Sequence, residues 1–254
     1  LGTAHVLEAI RATPSVKSAV LITTDKVYEN KEWWYAYRET DTLGGRDPYS
    51  ASKSSADIVI ASYANSFFHP DSYGKDHGTL VATARAGNVI GGGDWSYDRL
   101  MPDFVRATFE NRTSMRLRNP GSIRPWEFVL EPISGYLVLA KKLYEGDLRC
   151  VGAWNFGPHD ESFVTAEEML KRAVVICGEG AYHVAPDDFA HESSLLKLDI
   201  AKAKTVLGWK PILDLERNLR FTLDWYRAYY EKKEDMKSVT DTQISSFFNE
   251  FKII

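Results

Sequence analysis

The chain has 254 residues, 44% of them hydrophobic, and a formal charge of −4, which suits one or two cored domains and removes the electrostatic ground for binding nucleic acid or an acidic membrane. Its two cysteines, Cys150 and Cys177, show no pairing or zinc spacing and fit a reducing, cytoplasmic setting. The six histidines have no HxH or HxxxH spacing, so no metal is expected, and no run reaches the ~20 apolar residues of a membrane span.

The opening LGTAHVLEAIRA reads as a helix with Val6, Leu7 and Ile10 on one face, stopped by Pro14. It does not have the charged-then-apolar order of a signal peptide. Residues 18–24 form a short continuous apolar run, as in a buried parallel strand. A second helix starts near Ser50 and runs to Phe68. Leu80–Ala84 is the next strand, ending in RAGNVIGGG. Further helices are expected over 100–111 and 131–146, with an exposed strand over 115–119 between them. AWNFGP is a short strand closed by Gly157-Pro158.

Thr165-Ala-Glu-Glu168 is a capping box that opens the helix EEMLKRAVVICG. Asp199 caps another helix, ended by Gly208 and Pro211. A long helix spans 214–230, and the polar stretch 231–242 looks weakly ordered. Seven Trp and thirteen Tyr exceed what a generic core needs, and a pocket that stacks rings would use some of them.

Strands alternating with helices predict a doubly wound α/β layer, with sites beyond the carboxyl ends of the strands. Thr24-Asp25-Lys26 and Arg85–Asn88 both sit at such ends. Residues 1–90 form the sheet domain. Residues 91–254 form mainly a smaller mixed α/β lobe, with 126–160 returning to the sheet.

The strongest chemical signal is Tyr49-Ser-Ala-Ser-Lys53. Positions four apart share a helix face, and a cationic Lys53 favours the Tyr49 phenolate, which turns a phenol into a general base. The spacing alone occurs in many helices by chance. An exposed Tyr above a solvated Lys is the bland alternative. Position changes the balance, because the pair follows the strand ending in Thr24-Asp25-Lys26 by about 25 residues.

This layout resembles the extended short-chain dehydrogenase/reductase family that acts on nucleotide sugars. Leu1-Gly2-Thr3 followed by VLEA, Arg85-Ala-Gly-Asn88-Val-Ile-Gly91 and Arg124-Pro-Trp126-Glu-Phe-Val129 resemble further family segments in the expected order. The resemblance implies an NAD-binding Rossmann-like fold. It places Thr24, Tyr49 and Lys53 at the catalytic centre, with Thr23, Tyr49 and Lys53 toward the cofactor. It places Asn88 and Arg124 on the nucleotide sugar. Arg118, Arg85, Asp94 and Arg99 are further substrate candidates. Arg112 and Arg116 read better as a solvated basic strand.

Epimerases of this family transfer a hydride and return it, and need only the Ser or Thr and the Tyr. Dehydratases must also expel hydroxide from C6 and remove a proton from C5. Asp25, as acid, and Lys26, as base, supply two such groups. The triplet Thr24-Asp25-Lys26, GNVIGGGDW and the Trp33-Trp34 pair resemble the CDP-glucose 4,6-dehydratases, whose product serves deoxysugar and O-antigen synthesis. A salt bridge at a strand end is the bland reading of Asp25 and Lys26. For Trp33, Trp34 and Tyr35, loop packing or a subunit contact is equally compatible. Another nucleotide-sugar dehydratase, a 4-epimerase, or a non-catalytic nucleotide-sugar-binding protein are the other readings.

The family's G-x-x-G-x-x-G pyrophosphate cradle does not occur; Gly91-Gly92-Gly93 has the wrong spacing. The expectation is a C-terminal portion without the N-terminal NAD-binding strands, inactive alone and with one sheet edge exposed. A homodimer through helices 1–12 and 50–68 is the default assembly.

Overall fold

The computed structural model describes residues 1–185, 195–232 and 235–251. Helix α1 (Gly2–Arg11) leads to strand β1 (Ser18–Ile22), a single 3-10 turn over Asp25–Val27, and helix α2 (Pro48–Phe67). Strand β2 (Leu80–Ala86) is followed after Gly87 by β3 (Asn88–Ile90). Helix α3 (Leu100–Val105) widens into a π-helical turn over Arg106–Glu110. Then come β4 (Ser114–Leu117), β5 (Ile123–Phe128), α4 (Leu130–Tyr144) and β6 (Gly152–Phe156). The chain continues through β7 (Phe163–Thr165), α5 (Ala166–Cys177) and β8 (Ala181–Val184). A π-helical turn over Ala203–Leu207 precedes α6 (Leu215–Arg227) and α7 (Met236–Glu250).

The central sheet has the order β1-β2-β6, all parallel, with Ile22 opposite Ala84 and Ala86 opposite Phe156. Alternation along β2 sends its side chains to two layers. Val81 packs with Leu7, Ile60 and Phe68 from α1 and α2. Leu80, Ala82 and Ala84 pack with Val138, Leu139 and Leu143 of α4 and with Trp154. Helices therefore cover both faces, which is the doubly wound arrangement. β1 is half-buried rather than buried as its apolar run suggests, because it is an edge of this sheet. The second sheet, β3-β5-β7, runs on from the first: Gly87 separates β2 from β3, and β5 lies between parallel β3 and antiparallel β7. β4 and β8 form a parallel pair over residues 114–117 and 181–184. β4 is exposed on one face only, at Ser114 and Arg116, since Met115 and Leu117 alternate inward.

Local chemistry explains the helix ends. Thr165 Oγ accepts from the Glu168 amide at 3.1 Å, and Gly178 ends α5 in the left-handed conformation (φ 68°). Asp199 accepts from the Ala201 amide at 2.7 Å, and Gly208 (φ 70°) closes the turn it opens. The reading of 231–242 as weakly ordered is overturned from residue 236 onward. Asp235 caps α7, and three ties dock it on α6. Trp225 Nε1 donates to Thr240 Oγ1 at 2.9 Å, and Gln243 donates to the Phe221 carbonyl at 2.7 Å. Arg217 pairs with Glu250, and Phe247 is buried in the main core. Among the described residues no helix is long and apolar enough to cross a membrane.

Gly91-Gly92-Gly93 is a packing device. A Cβ on Gly92 would lie 2.1 Å from Trp225 Cγ. Gly92→Ala is expected to cost about 1–3 kcal/mol of stability, the scale of overpacking a core. Urea unfolding should show the loss, with Gly121→Ala unaffected, because a Cβ there meets nothing within 4 Å.

Glu131 opens α4 from inside the core. Its Oε1 accepts from the amides of Ile212 at 2.9 Å and Leu213 at 2.6 Å. Burial outweighs those amides and pushes its carboxyl up to about 7. The folded chain therefore holds this proton more tightly than the unfolded chain does. The stability it contributes is present at low pH and fades as pH rises from about 4.5 through 7. Glu131→Gln should flatten the fall in unfolding free energy between pH 5 and 8 by roughly 3 kcal/mol, read from denaturant midpoints.

Candidate active site

At the end of β1 the chain turns polar. Thr24 is extended; its Oγ accepts weakly from the Lys26 amide at 3.4 Å and donates to Asp25 Oδ1 at 3.0 Å. Asp25 is buried, and its Oδ2 has no hydrogen-bond partner among the described residues. Burial pushes this carboxyl up to about 6, against the pull of the Thr24 hydroxyl and the positive charges of Lys26 and Arg124.

α2 is locked to the same turn. Asp47 Oδ1 accepts from the Ser50 amide at 3.0 Å, and Pro48 occupies the first turn. A Cβ on Gly45 would lie 2.3 Å from the Ala51 amide nitrogen, so only glycine lets the chain pass flat across the helix start. Ser54 Oγ donates to the Val27 carbonyl at 2.8 Å. These contacts set Tyr49 beside the triplet. Its ring is 51% exposed, and Lys26 Nζ lies 5.9 Å from its centroid. Lys53 follows one helical turn later, half-buried on α2.

The turn rests on a buried polar chain that spacing did not disclose. Arg85 and Asp57, both 3% exposed, form a bidentate pair at 2.7 and 3.0 Å. Arg85 also donates to Tyr28 Oη at 2.8 Å, and Tyr28 donates to Asn155 Oδ1 at 2.7 Å. Thr23 Oγ1 donates to Asp57 Oδ2 at 2.9 Å. Two of the expected site residues sit in this chain. Arg85 is held by Asp57 and Tyr28 beneath the site. Thr23 donates to Asp57 in the same chain.

A cleft of about 790 Å³ opens over the triplet and Tyr49. Asn88 from β3, Arg124 from β5, Arg118 after β4, and Asp94 and Arg99 before α3 complete the predicted residues that line it. Lys53, Thr23 and Arg85 are not among its lining. Asp98, Asp103 and Arg106 line it and went unread as site residues, because nothing in their spacing distinguishes them from ordinary surface charges; Arg116, read as part of a solvated strand, lines it too. Gly87 belongs to the same wall; a Cβ there would lie 2.3 Å from Pro125 Cγ. Of the aromatic residues, Tyr49 and Trp126 reach the cleft. Trp33 instead stacks on Tyr37 at 5.3 Å, while Trp34, 85% exposed, and Tyr35 face solvent. Behind the cleft, Glu127 is fully buried with neither carboxyl oxygen hydrogen-bonded to a described residue. Burial, reinforced by the Glu131 charge, holds its carboxyl well above the usual range.

The arrangement is a phenol, a hydroxyl, a carboxyl and an amine on one side, with arginines on the other. The donor set fits part of NAD. The exposed Tyr49 phenol and the Lys53 amine on α2 suit a nicotinamide ribose, whereas no pyrophosphate-cradling glycine turn follows a strand in this sequence.

The sequence model of the family described as GDP-mannose 4,6 dehydratase matches residues 1–222. A CDP-glucose 4,6-dehydratase of Salmonella typhimurium is 44% identical over 98% of this chain, which spans 69% of that relative's length. Among solved structures, dTDP-glucose 4,6-dehydratase of Bacillus anthracis in complex with NAD superposes with TM-score 0.72 at 23% identity, over 92% of this chain and 70% of that one. A UDP-glucuronic acid 4-epimerase of Bacillus cereus, solved with NAD, gives TM-score 0.74 at 18% identity, over 90% and 67%. The structural likenesses fix the Rossmann-like α/β fold. With the family match over most of its length, the chain belongs to the GDP-mannose 4,6-dehydratase family.

Proposed function

We propose that this protein is an NAD-dependent CDP-D-glucose 4,6-dehydratase, a hydro-lyase that yields CDP-4-keto-6-deoxyglucose. The observation that carries the reading is the buried Asp25 carboxyl, pushed up to about 6, beside Thr24, Lys26 and Tyr49 in one cleft. A simple epimerase has no use for an acid poised to donate. The 44% identity to a relative named for this reaction supports the nucleotide.

Tyr49, assisted by Lys53, takes the proton of the sugar 4-hydroxyl. Thr24 holds the 4-oxygen by a hydrogen bond. When bound, NAD supplies the transient oxidation of the sugar that side chains cannot perform. With a ketone at C4, the C5 proton becomes acidic, and Lys26, as the neutral amine, removes it. Asp25 gives its proton to the C6 hydroxyl, so water leaves instead of hydroxide. The 6-deoxy product then takes back at C6 the hydride withdrawn from C4, and at C5 the proton held by Lys26. Arg124 and Arg118 bind the diphosphate, with Asn88 on the sugar or phosphate and Asp94 and Arg99 at the cleft mouth. In this scheme residues 1–90 carry the catalytic groups and 91–254 mainly the nucleotide sugar, with 126–160 returning to the sheet. Pairing of α1 and α2 with a second copy is the proposed assembly, and a cytoplasmic deoxysugar pathway the proposed setting.

Incubation of the full-length protein with NAD and with CDP-, dTDP-, GDP- and UDP-glucose, read by mass spectrometry, tests this. Loss of one water from CDP-glucose alone is expected. Water loss from another nucleotide sugar overturns the choice of base. An isomer of unchanged mass overturns the roles of Asp25 and Lys26.

A further inference from the structure

Three of the five arginines that line the cleft carry counter-ions from a single segment. Asp94 faces Arg99 at 3.9 Å, Asp103 pairs with Arg106 within α3 and the turn that follows it, and Asp98 pairs with Arg118 at 3.0 Å. The third pair differs from the other two. It joins the loop before α3 to the chain leaving β4, so it crosses between two walls of the cleft, and both partners line it. Asp98 also sits in the left-handed backbone region, at φ 60°, where Asp and Asn are tolerated better than most residues. Its side chain is 77% exposed and that of Arg118 is 40% exposed. A pair this wet is cheap to break.

We infer that Asp98 is a competing anion for the substrate, holding the Arg118 guanidinium that an entering diphosphate must capture. The inference rests on the reading of this cleft as a site for a nucleoside diphosphate sugar. Arginine presents a planar fork of donors that matches phosphate oxygens as well as a carboxylate. A diphosphate brings enough negative charge to displace Asp98, and then repels it from the cleft. A nucleoside brings none and leaves the pair closed. Asp98 thereby sets a threshold of anionic charge for occupancy, and makes it a specificity-determining residue.

The test is calorimetric binding of CDP and of cytidine to the full-length protein loaded with NAD. Asp98→Asn keeps the backbone preference and the size while removing the charge; Asp98→Gly removes the charge and suits the backbone equally. Both should bind CDP about fivefold tighter than the unmodified protein, the scale of one exposed ion pair no longer to be broken. Cytidine binding should not change. In an Arg118→Gln background, Asp98→Asn should give no gain. Unchanged or weaker CDP binding by both Asp98 variants overturns the inference. So does an equal gain for cytidine, or a gain that persists without Arg118. If the unmodified protein binds CDP no better than cytidine, the diphosphate reading of the cleft itself fails, and that outcome is distinct from the others.

Discussion

Tyr49→Phe is expected to lower water loss from the nucleotide sugar by about a thousandfold, within the range of a general base removed. Binding of CDP should be unaffected, because the phenol is assigned to the sugar and not to the diphosphate. In deuterated water the variant should also fail to exchange the C5 hydrogen, since that hydrogen becomes acidic only after C4 is oxidised. Recovered substrate of unchanged mass, together with no product, is therefore the expected result. A variant that still exchanges C5 places the base elsewhere. The half-exposed ring makes folding failure a minor concern.

Asp25→Asn should separate the two halves of the reaction. Water loss is expected to fall by about a thousandfold, as for a lost general acid. Exchange at C5 should persist, because Tyr49, Thr24 and Lys26 are untouched, so recovered substrate gains one mass unit without losing water. The pH profile adds a sign. The acid works when protonated, and its carboxyl is pushed up to about 6 by burial, so elimination in the unmodified protein should decline as pH rises above about 6. Bound substrate displaces more water from the cleft and moves that limb upward. The limb should vanish in Asp25→Asn. Loss of C5 exchange together with water loss would instead make Asp25 part of the oxidation step.

Much of this site was legible in the sequence, for identifiable reasons. The apolar run before Thr24 and the helix pattern after Ser50 are local signals, and together they bring the triplet and Tyr49 to one place. Thr165 caps α5 through its hydroxyl as read, while the Glu168 carboxylate turns to Arg172 instead of closing the box. The burial of Arg85 was not legible because its partner, Asp57, lies 28 residues away on α2, and nothing local announces a buried pair. The Thr23 bond to Asp57 was hidden for the same reason. The strands β3, β5 and β7 escaped notice because they are short or carry Pro125, Arg124 and Glu127 in place of the usual apolar alternation. α7 was obscured by its polar first half. Its order comes from Trp225, Phe221 and Arg217 on α6, a dependence that composition cannot carry.

The indole of Trp225 has a temporal consequence. It seats Gly92, stacks on Tyr229 at 6.0 Å, and approaches Trp95, which Tyr226 also contacts at 5.3 Å. The wall that carries Asp94 and Asp98 is thus clamped by a helix more than 120 residues downstream. During synthesis Tyr49 and Asp25 are made long before that helix, but the layer under β2 and β6 is itself completed only by Trp209, Leu213 and Phe247. The substrate side of the cleft has no clamp until the ribosome has released α6. The last-made part of the chain therefore completes both the core of the sheet and the substrate wall, and a nascent chain stalled before α6 has neither finished.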